Sequence, residues 1–356
     1  MPPACENARY RVQVQMPRSP SGNFAVNDSM ILLDKAMDEL AKIAMNRELV
    51  SVIMPCFNAS AFVEQAVRSA FRQDYGNVEL IVVDDGSVDG SRDILARLAS
   101  EYRGHMTVLH RKNRGPYPAR NEGIKHARGA LVAFLDADDY WADNCLTKLH
   151  QALQAAGADL AYCGWQNVGE EASGKEPYVP PKYEAQDTVA LFLKGCPWPI
   201  HAALSRRSLL RHVSGFSERM FSAMDYDLWL RILAVTRKIV QVPEVLAFYR
   251  WHGQGQISSV KWRQVLDAWQ VRQDFVRSHP ALVAHLAPTT LRELLDGSLL
   301  CAAYAAYWKR DLVSAQPLFR KAALRGYWRL RDAKYVLPSL LPTGVYRRLI
   351  ESADHR

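Results

Sequence analysis

Val78-Glu-Leu-Ile-Val-Val-Asp-Asp-Gly-Ser87 is a short apolar run rich in β-branched residues that stops at two carboxylates and a glycine. Such a run reads as a buried strand whose carboxyl end opens onto a polar loop. The pattern recurs on either side of it. Val50-Ser-Val-Ile-Met-Pro55 is a similar strand followed by Asn58, and Leu131–Leu135 is another, closed by Asp136-Ala137-Asp138-Asp139. Met106–His110 and Leu160–Cys163 read as two further strands. Helical spacing fills the intervals. Phe62, Val63, Ala66, Val67, Ala70 and Phe71 form the first apolar stripe, with Asn58 or Ser60 as the expected cap. Ser91–Tyr102, Ala119–Ala127 and Cys145–Ala156 form the next helices. Continuously apolar strands alternating with helices predict an α/β fold, a mostly parallel sheet covered on both faces. Ligands bind such sheets beyond the carboxyl ends of strands. Asn58, the Asp84/Asp85 pair and the Asp136/Asp138/Asp139 cluster all fall there.

The rest of the chain narrows the function classes. Of its 356 residues 49% are hydrophobic and 23% charged, which excludes a mostly disordered chain. The longest uncharged stretch, Leu49–Val63, contains Pro55 and Asn58 and falls short of the roughly 18 residues a membrane-spanning helix needs. No basic stretch followed by an apolar one opens the chain, so neither a secretory signal nor a transmembrane anchor is expected. The cysteines at 5, 56, 145, 163, 196 and 301 form no Cys-x-x-Cys pair, and their wide spacing fits a reducing, cytoplasmic compartment. Residues 306–356 hold 11 Lys/Arg against 4 Asp/Glu, nearly the whole of the net charge of +8. A basic excess confined to one tail argues against nucleic acid as partner. With its aromatic residues, that tail has the composition of a surface resting on an anionic membrane. Three regions follow: an extension over 1–47 with a short helix near Met30–Arg47, an α/β domain over 48–260, and a basic helical region over 261–356 interrupted near its end by Pro338 and Pro342. Ala305–Arg325 resembles one helix-turn-helix unit of a repeat, but a plain helical bundle is the simpler reading.

Several chemistries lack their motifs. The chain has no Gly-x-x-x-x-Gly-Lys-Ser/Thr phosphate loop, no Gly-x-Ser-x-Gly elbow and no His-Glu-x-x-His helix, and Gly253-Gln254-Gly255 lacks the third glycine of a dinucleotide loop. The acidic cluster is more informative. Three carboxylates within four residues repel one another unless a cation lies among them. Hard oxygen donors at a strand end suit Mg²⁺ or Mn²⁺, which bind through one or two carboxylates plus substrate phosphates. The competing reading makes Asp138 or Asp139 the cap of a turn beginning at Tyr140.

Six segments, in order, carry a family resemblance. Val52-Ile-Met-Pro-Cys-Phe-Asn58, Val83-Asp-Asp-Gly-Ser87, Asn113-Arg-Gly-Pro-Tyr-Pro-Ala-Arg-Asn121, Phe134-Leu-Asp-Ala-Asp-Asp-Tyr-Trp141, Asp225-Tyr-Asp-Leu-Trp-Leu-Arg231 and Tyr249-Arg-Trp-His252 resemble the motif set of glycosyltransferase family 2. The resemblance spans about residues 48–260. It implies a GT-A fold and inverting transfer of a sugar from a nucleotide-diphosphate donor, of UDP or dTDP type, to a glycan or lipid-linked acceptor in polysaccharide or glycolipid assembly. By the same resemblance, Pro55 and Asn58 lie against the nucleoside, Asp85 accepts a hydrogen bond from the base, and Arg120 lies near the nucleotide. Asp136 and Asp138 match the Asp-x-Asp pair on the donor, with Asp139 adjacent. One of the three ligates Mn²⁺ or Mg²⁺ and another reaches the ribose, which of them being open, with Asp138, Asp139 and His252 as the candidate ligands. Asp225 is similar to the catalytic base, with a helix cap as its alternative, and Asp227 reads as structural. Many relatives carry Glu immediately before this base, where this chain has Met224. Trp198 and Trp229 could wall an acceptor site but read more simply as core. A lipid-linked acceptor implies work at the inner face of the cytoplasmic membrane. Two other functions share parts of this pattern, a non-catalytic sugar-nucleotide-binding scaffold and a nucleotidyltransferase of similar fold. The latter would want a Gly-rich basic first loop, which Met54-Pro55-Cys56-Phe57-Asn58 is not.

Overall fold

A computed structural model describes residues 47–169, 172, 176–252 and 261–354. The expected extension with its helix near Met30–Arg47, Arg47 apart, and Gly253-Gln254-Gly255 lie outside the described residues. Eight strands among those described form one sheet: β1 (Val50–Cys56), β2 (Val78–Asp84), β3 (Met106–His110), β4 (Leu131–Phe134), β5 (Tyr140–Trp141), β6 (Leu160–Val168), β7 (Ala203–Arg206) and β8 (Ile239–Arg250). Their spatial order is β3-β2-β1-β4-β7-β6-β8-β5. The first four are parallel neighbours, with Val50 opposite both Val78 and Leu131.

The other half of the sheet is mixed. β7 runs antiparallel to β4 and β6, β8 is parallel to β6, and β5 is antiparallel to β8. The five expected strands are all present, but β5, β7 and β8 left no clear pattern in the sequence. β5 is only two residues long and β7 four, while Pro243 and Glu244 interrupt the apolar pattern of β8. The sheet is therefore α/β as expected, with its parallel part confined to the first-half strands and the β6–β8 pair.

Helices α1 (Val63–Phe71), α2 (Ser91–Glu101), α3 (Pro116–His126) and α4 (Cys145–Ala155) alternate with the early strands, followed by α5 (Thr188–Lys194), α6 (Arg207–His212) and α7 (Met224–Val235). Neither Asn58 nor Ser60 caps α1. Phe62 occupies the cap position, and the Val63 N–H donates to the carbonyl of Ala59 instead. Every residue of β1 and β2 is buried. The polar members of these strands are satisfied within the fold: Ser51 Oγ donates to Glu79 Oε1 at 2.6 Å, and Arg128 Nε meets Glu79 Oε2 at 2.7 Å. A buried charge is tolerable when paired in this way.

After residue 260 the described chain is helical: α8 (Lys261–Ser278), α9 (Pro280–Val283), α10 (Pro288–Arg292), α11 (Ser298–Trp308), α12 (Leu312–Leu324), α13 (Ala333–Val336) and α14 (Thr343–Asp354). Val271, Phe275, Val283 and Leu295 join the apolar core built on the sheet. Leu299, Ala303, Leu318, Phe319, Val336, Tyr346 and Ile350 form a second core with Trp269. Pro338 opens a short turn and Pro342 immediately precedes α14, so the helical pattern resumes beyond the prolines.

One close contact sets the position of α3. A Cβ at Gly123 would come within 2.3 Å of Ile53 Cγ2 on β1, so only glycine lets the helix lie this near the strand. Arg120 sits one turn earlier on the same helix. Gly123→Ala is expected to destabilise the protein by about 1–3 kcal/mol through overpacking, whereas Gly344→Ala, in open space, should be neutral. Thermal unfolding of both variants checks the contrast.

Candidate active site

The carboxyl end of β1 delivers Pro55 and Asn58. Pro55 is buried beyond the last β4 pair, Ile53–Phe134, where the β4 side of the ladder asks for no further N–H. Asn58 has φ 49°, a left-handed conformation that Asn tolerates. Its N–H donates to Ser87 Oγ at 3.0 Å, and its Oδ1 accepts the Val88 N–H at 2.9 Å. The end of β1 is thus tied to the loop after β2.

The two aspartates of that loop have separate tasks. Asp84 is fully enclosed and accepts bonds from the Ser87 N–H and from Arg92, with His110 Nδ1 at 3.1 Å. Asp85 accepts the Gly115 N–H at 2.7 Å and the Arg114 N–H at 3.1 Å, and Arg111 Nε lies 3.0 Å away. Its carboxylate holds down the loop that enters α3. Burial pushes the Asp85 carboxyl above its ordinary value, and the two backbone bonds offset this only in part. Gly86, at φ 85°, permits the close approach: a Cβ there would lie 3.0 Å from the Asn113 nitrogen.

β4 ends in the acidic cluster. The Asp139 N–H donates to the Asp136 carbonyl, which closes a tight turn, and a strand rather than a helix follows at Tyr140. The helix-cap reading of Asp138 and Asp139 therefore lapses. The three carboxylates face different partners. Asp136 pairs with Arg120, whose guanidinium is buried beside the stacked Tyr117 and Phe216 rings, 5.6 and 5.5 Å from their centroids. Asp138 Oδ2 lies 3.0 Å from His252 Nε2. Asp139 is 1% exposed and turned inward. Its Oδ1 accepts the Arg250 N–H at 2.8 Å, and its Oδ2 lies 3.0 Å from His201 Nδ1. Burial raises the Asp138 carboxyl, the Asp136 charge raises it further, and His252 pulls it partly back.

Asp225 stands in the first turn of α7, just after Ala223 at φ 59°, and accepts the N–H of Tyr226 at 2.8 Å. It lies within electrostatic reach of Arg120 and Asp136. Burial raises its carboxyl above the ordinary value, opposed by the Tyr226 N–H and by Arg120. It is not the cap of α7, whose cap position is Ala223. Met224, the departure noted above, is fully buried in the core. Asp227 is clamped between Arg219 and Arg231, each at 2.7 Å, which is a structural pairing. Trp198 and Trp229 are core residues.

The fold thus gathers Arg120, Asp136, Asp138, His252 and Asp225, with Pro55, Asn58 and Asp85 at neighbouring strand ends. Sequence reasoning missed His201, Arg250 and Tyr117. His201 follows Pro197-Trp-Pro-Ile with no pattern of its own, and only the quoted motifs around Arg250 and Tyr117 hinted at a site. The donor set fits a hard divalent cation. Asp136, Asp138, Asp139 and Asp225 outnumber the two arginines among the described residues that reach this turn, Arg120 and Arg250, so negative charge is left in excess. Among the described residues no group of three or more His, Cys, Asp or Glu side chains is gathered to hold an ion by itself. Asp138 and His252 would supply an oxygen and a nitrogen, and phosphate oxygens and water the remainder, a habit of Mg²⁺ and Mn²⁺.

Comparison with known proteins gives a consistent picture. Residues 51–213 match the family model described as Glycosyl transferase family 2. The chain is 30% identical over 243 residues to the UDP-Glc:alpha-D-GlcNAc-diphosphoundecaprenol beta-1,3-glucosyltransferase WfgD of Escherichia coli, covering 68% of this chain and 92% of WfgD. Among solved structures, S. aureus TarS 1-349 in complex with UDP-GlcNAc superposes with a TM-score of 0.56 at 19% identity, over 82% of this chain and 79% of TarS. The mannosyltransferase PcManGT from Pyrobaculum calidifontis, in complex with GDP-Man and Mn²⁺, gives 0.52 at 21% identity, over 90% and 96%. These two likenesses establish the fold.

The raised carboxyl of Asp225 has a measurable consequence for stability. A group whose folded pKa lies above its unfolded value, about 3.9 for Asp, favours the fold below that value. The advantage is lost as pH rises through the folded pKa. Asp225→Asn cannot ionise and escapes this loss. Its melting temperature should match that of the parent at the acid end, exceed it as pH rises above about 4, and hold a constant lead once the folded carboxyl has ionised. A difference that stays constant from the acid end upward would contradict the burial of this charge.

Proposed function

The chain belongs to glycosyltransferase family 2 and is a glycosyltransferase, and we propose that it transfers a sugar, with inversion, from a UDP- or dTDP-type donor to an acceptor hydroxyl. The observation that carries this reading is the meeting of Asp136, Asp138, His252 and Asp225 around Arg120 at the strand ends. On this reading Pro55 and Asn58 border the nucleoside. Asp85, an acceptor-only carboxylate held by the Arg114 and Gly115 N–H groups and by Arg111, takes an N–H of the base. Asp136 lies on the donor and Arg120 sets its direction. Asp138 and His252 would hold the Mn²⁺ or Mg²⁺, and Asp139, turned inward with Oδ1 on the Arg250 N–H and Oδ2 3.0 Å from His201 Nδ1, supports them from behind. When bound, the ion neutralises charge developing on the leaving diphosphate.

The remaining chemistry belongs to the chain. Asp225 accepts the proton of the acceptor hydroxyl as its oxygen attacks the anomeric carbon from the face opposite the diphosphate. The new C–O bond forms while the bond to the diphosphate oxygen breaks, which inverts the carbon. A carboxylate raised by burial is a stronger base than a free one, and this suits it to the task. The guanidinium of Arg120, buried and packed beside the Tyr117 and Phe216 rings, stays fixed at the site as charge shifts.

A lipid-linked acceptor of the kind named for WfgD is part of this proposal, with the enzyme at the inner face of the cytoplasmic membrane. No helix among the described residues is long and apolar enough to cross a bilayer. In the basic tail, Leu337, Leu340, Val345 and Leu349 are exposed, near Lys334, Arg347 and Arg348. Apolar residues beside cations favour adsorption to anionic lipid, at about 1 kcal/mol per basic residue near the surface.

Three measurements test the reading. Asp225→Asn should lower kcat by about 10²–10⁴ with donor affinity little changed, and loss of donor binding instead would make the residue structural. EDTA should abolish transfer and Mn²⁺ restore it, and full activity in EDTA would remove the metal from the scheme. Flotation with anionic vesicles should carry the protein at low salt and release it at high salt, and binding indifferent to salt and lipid charge would exclude docking through the tail.

A further inference from the structure

His201 lies outside every motif that led to the site, yet its ring is fully buried behind the acidic turn. It sits in the short turn Ile200–Ala202 that leads into β7. Its Nδ1 is 3.0 Å from Asp139 Oδ2, and its ring lies parallel to Tyr249 with centroids 5.7 Å apart. Its carbonyl accepts the Trp141 Nε1–H at 2.7 Å. The other oxygen of Asp139 accepts the N–H of Arg250, and Arg250 Nε donates to the carbonyl of Asp138 at 2.8 Å. One inward carboxylate therefore joins the acidic turn, the entry to β7 and the end of β8. Two residues beyond Arg250 is His252, which touches Asp138, the residue next to Asp139. Two adjacent carboxylates thus face two histidines, one pair toward the site and one behind it.

We infer that His201, acting through Asp139, is a positioning residue that fixes the distance and orientation of Asp138 and His252 for their shared ligand. The inference rests on the reading of those two side chains as metal ligands. A buried ion pair adds little stability over apolar side chains of equal volume, so the inward pair is explained better by what it orients. Partners that stand behind metal ligands commonly change metal affinity 10–100-fold when lost.

The test is Mn²⁺-dependent nucleotide binding by calorimetry on the full chain, with UDP or dTDP, whichever the parent binds. His201→Ala is expected to raise the Mn²⁺ concentration for half-maximal effect about 10–100-fold, with metal-free nucleotide binding unchanged. His201→Gln, which keeps an N–H group beside Asp139, should recover most of the loss. The double variant Asp139→Asn/His201→Leu leaves no lone buried charge, and it should fold and show the same Mn²⁺ defect. A folded variant of either kind with parental Mn²⁺ dependence would overturn the inference. Asp138→Ala separates the two levels. If it too leaves Mn²⁺ dependence intact, or the parent shows none, the metal reading fails and takes the inference with it.

Discussion

Like charges crowd one end of the sheet, and the site is arranged around that constraint. Asp136, Asp138 and Asp139 leave β4 within four residues, and Asp225 approaches from α7. Such carboxylates can stay ionised together only if each is separately compensated. The fold meets this only in part, with partners from different segments: Arg120 from α3 for Asp136, His252 from beyond β8 for Asp138, and His201 with the Arg250 N–H for Asp139, while Asp225 keeps less. Each compensation commits a piece of backbone. The close α3–β1 contact at Gly123 and the antiparallel insertion of β7 each place one of these partners.

The parallel half of the sheet and its helices were legible because burial on both faces leaves a strong signal. A strand enclosed above and below must be apolar throughout, and β1, β2 and β4 are nearly so. The mixed half was not legible. β5 and β7 are too short to show a period, and their place is decided by pairing with β8, β4 and β6, which are far away in sequence. The predicted cap at Asn58 failed for a related reason. A local rule assigns that side chain to its own helix, but the neighbouring loop at Val88 competes for it and prevails.

The site divides along the same line. Asp85, Asp136, Asp138 and Asp139 were found because they sit at strand ends, where local pattern and chemistry coincide, and Asp225, at a helix start, only through the family resemblance. Motifs could not tell that Asp139 faces inward while Asp138 faces the site. Alternation along a turn is set by its closure, here the Asp139 N–H to the Asp136 carbonyl, and by the neighbours that await each side chain. His201 was invisible because a buried histidine between hydrophobic residues has no sequence signature. Its meaning comes only from the strand that brings it within 3.0 Å of Asp139.

Two aspartates of α7 show how far environment, rather than residue type, assigns a role. Asp225 and Asp227 stand two residues apart in the same first turn. Asp227 is gripped by Arg219 and Arg231 and has no freedom to accept a proton. Asp225 receives one backbone N–H, feels Arg120 at longer range and is pushed upward by burial and by Asp136. A fully paired carboxylate is a weak base and a good strut, and an under-compensated one is the reverse. The αL turn at Ala223 separates the two, because it fixes the rotation at which α7 begins and hence which of them meets the arginines.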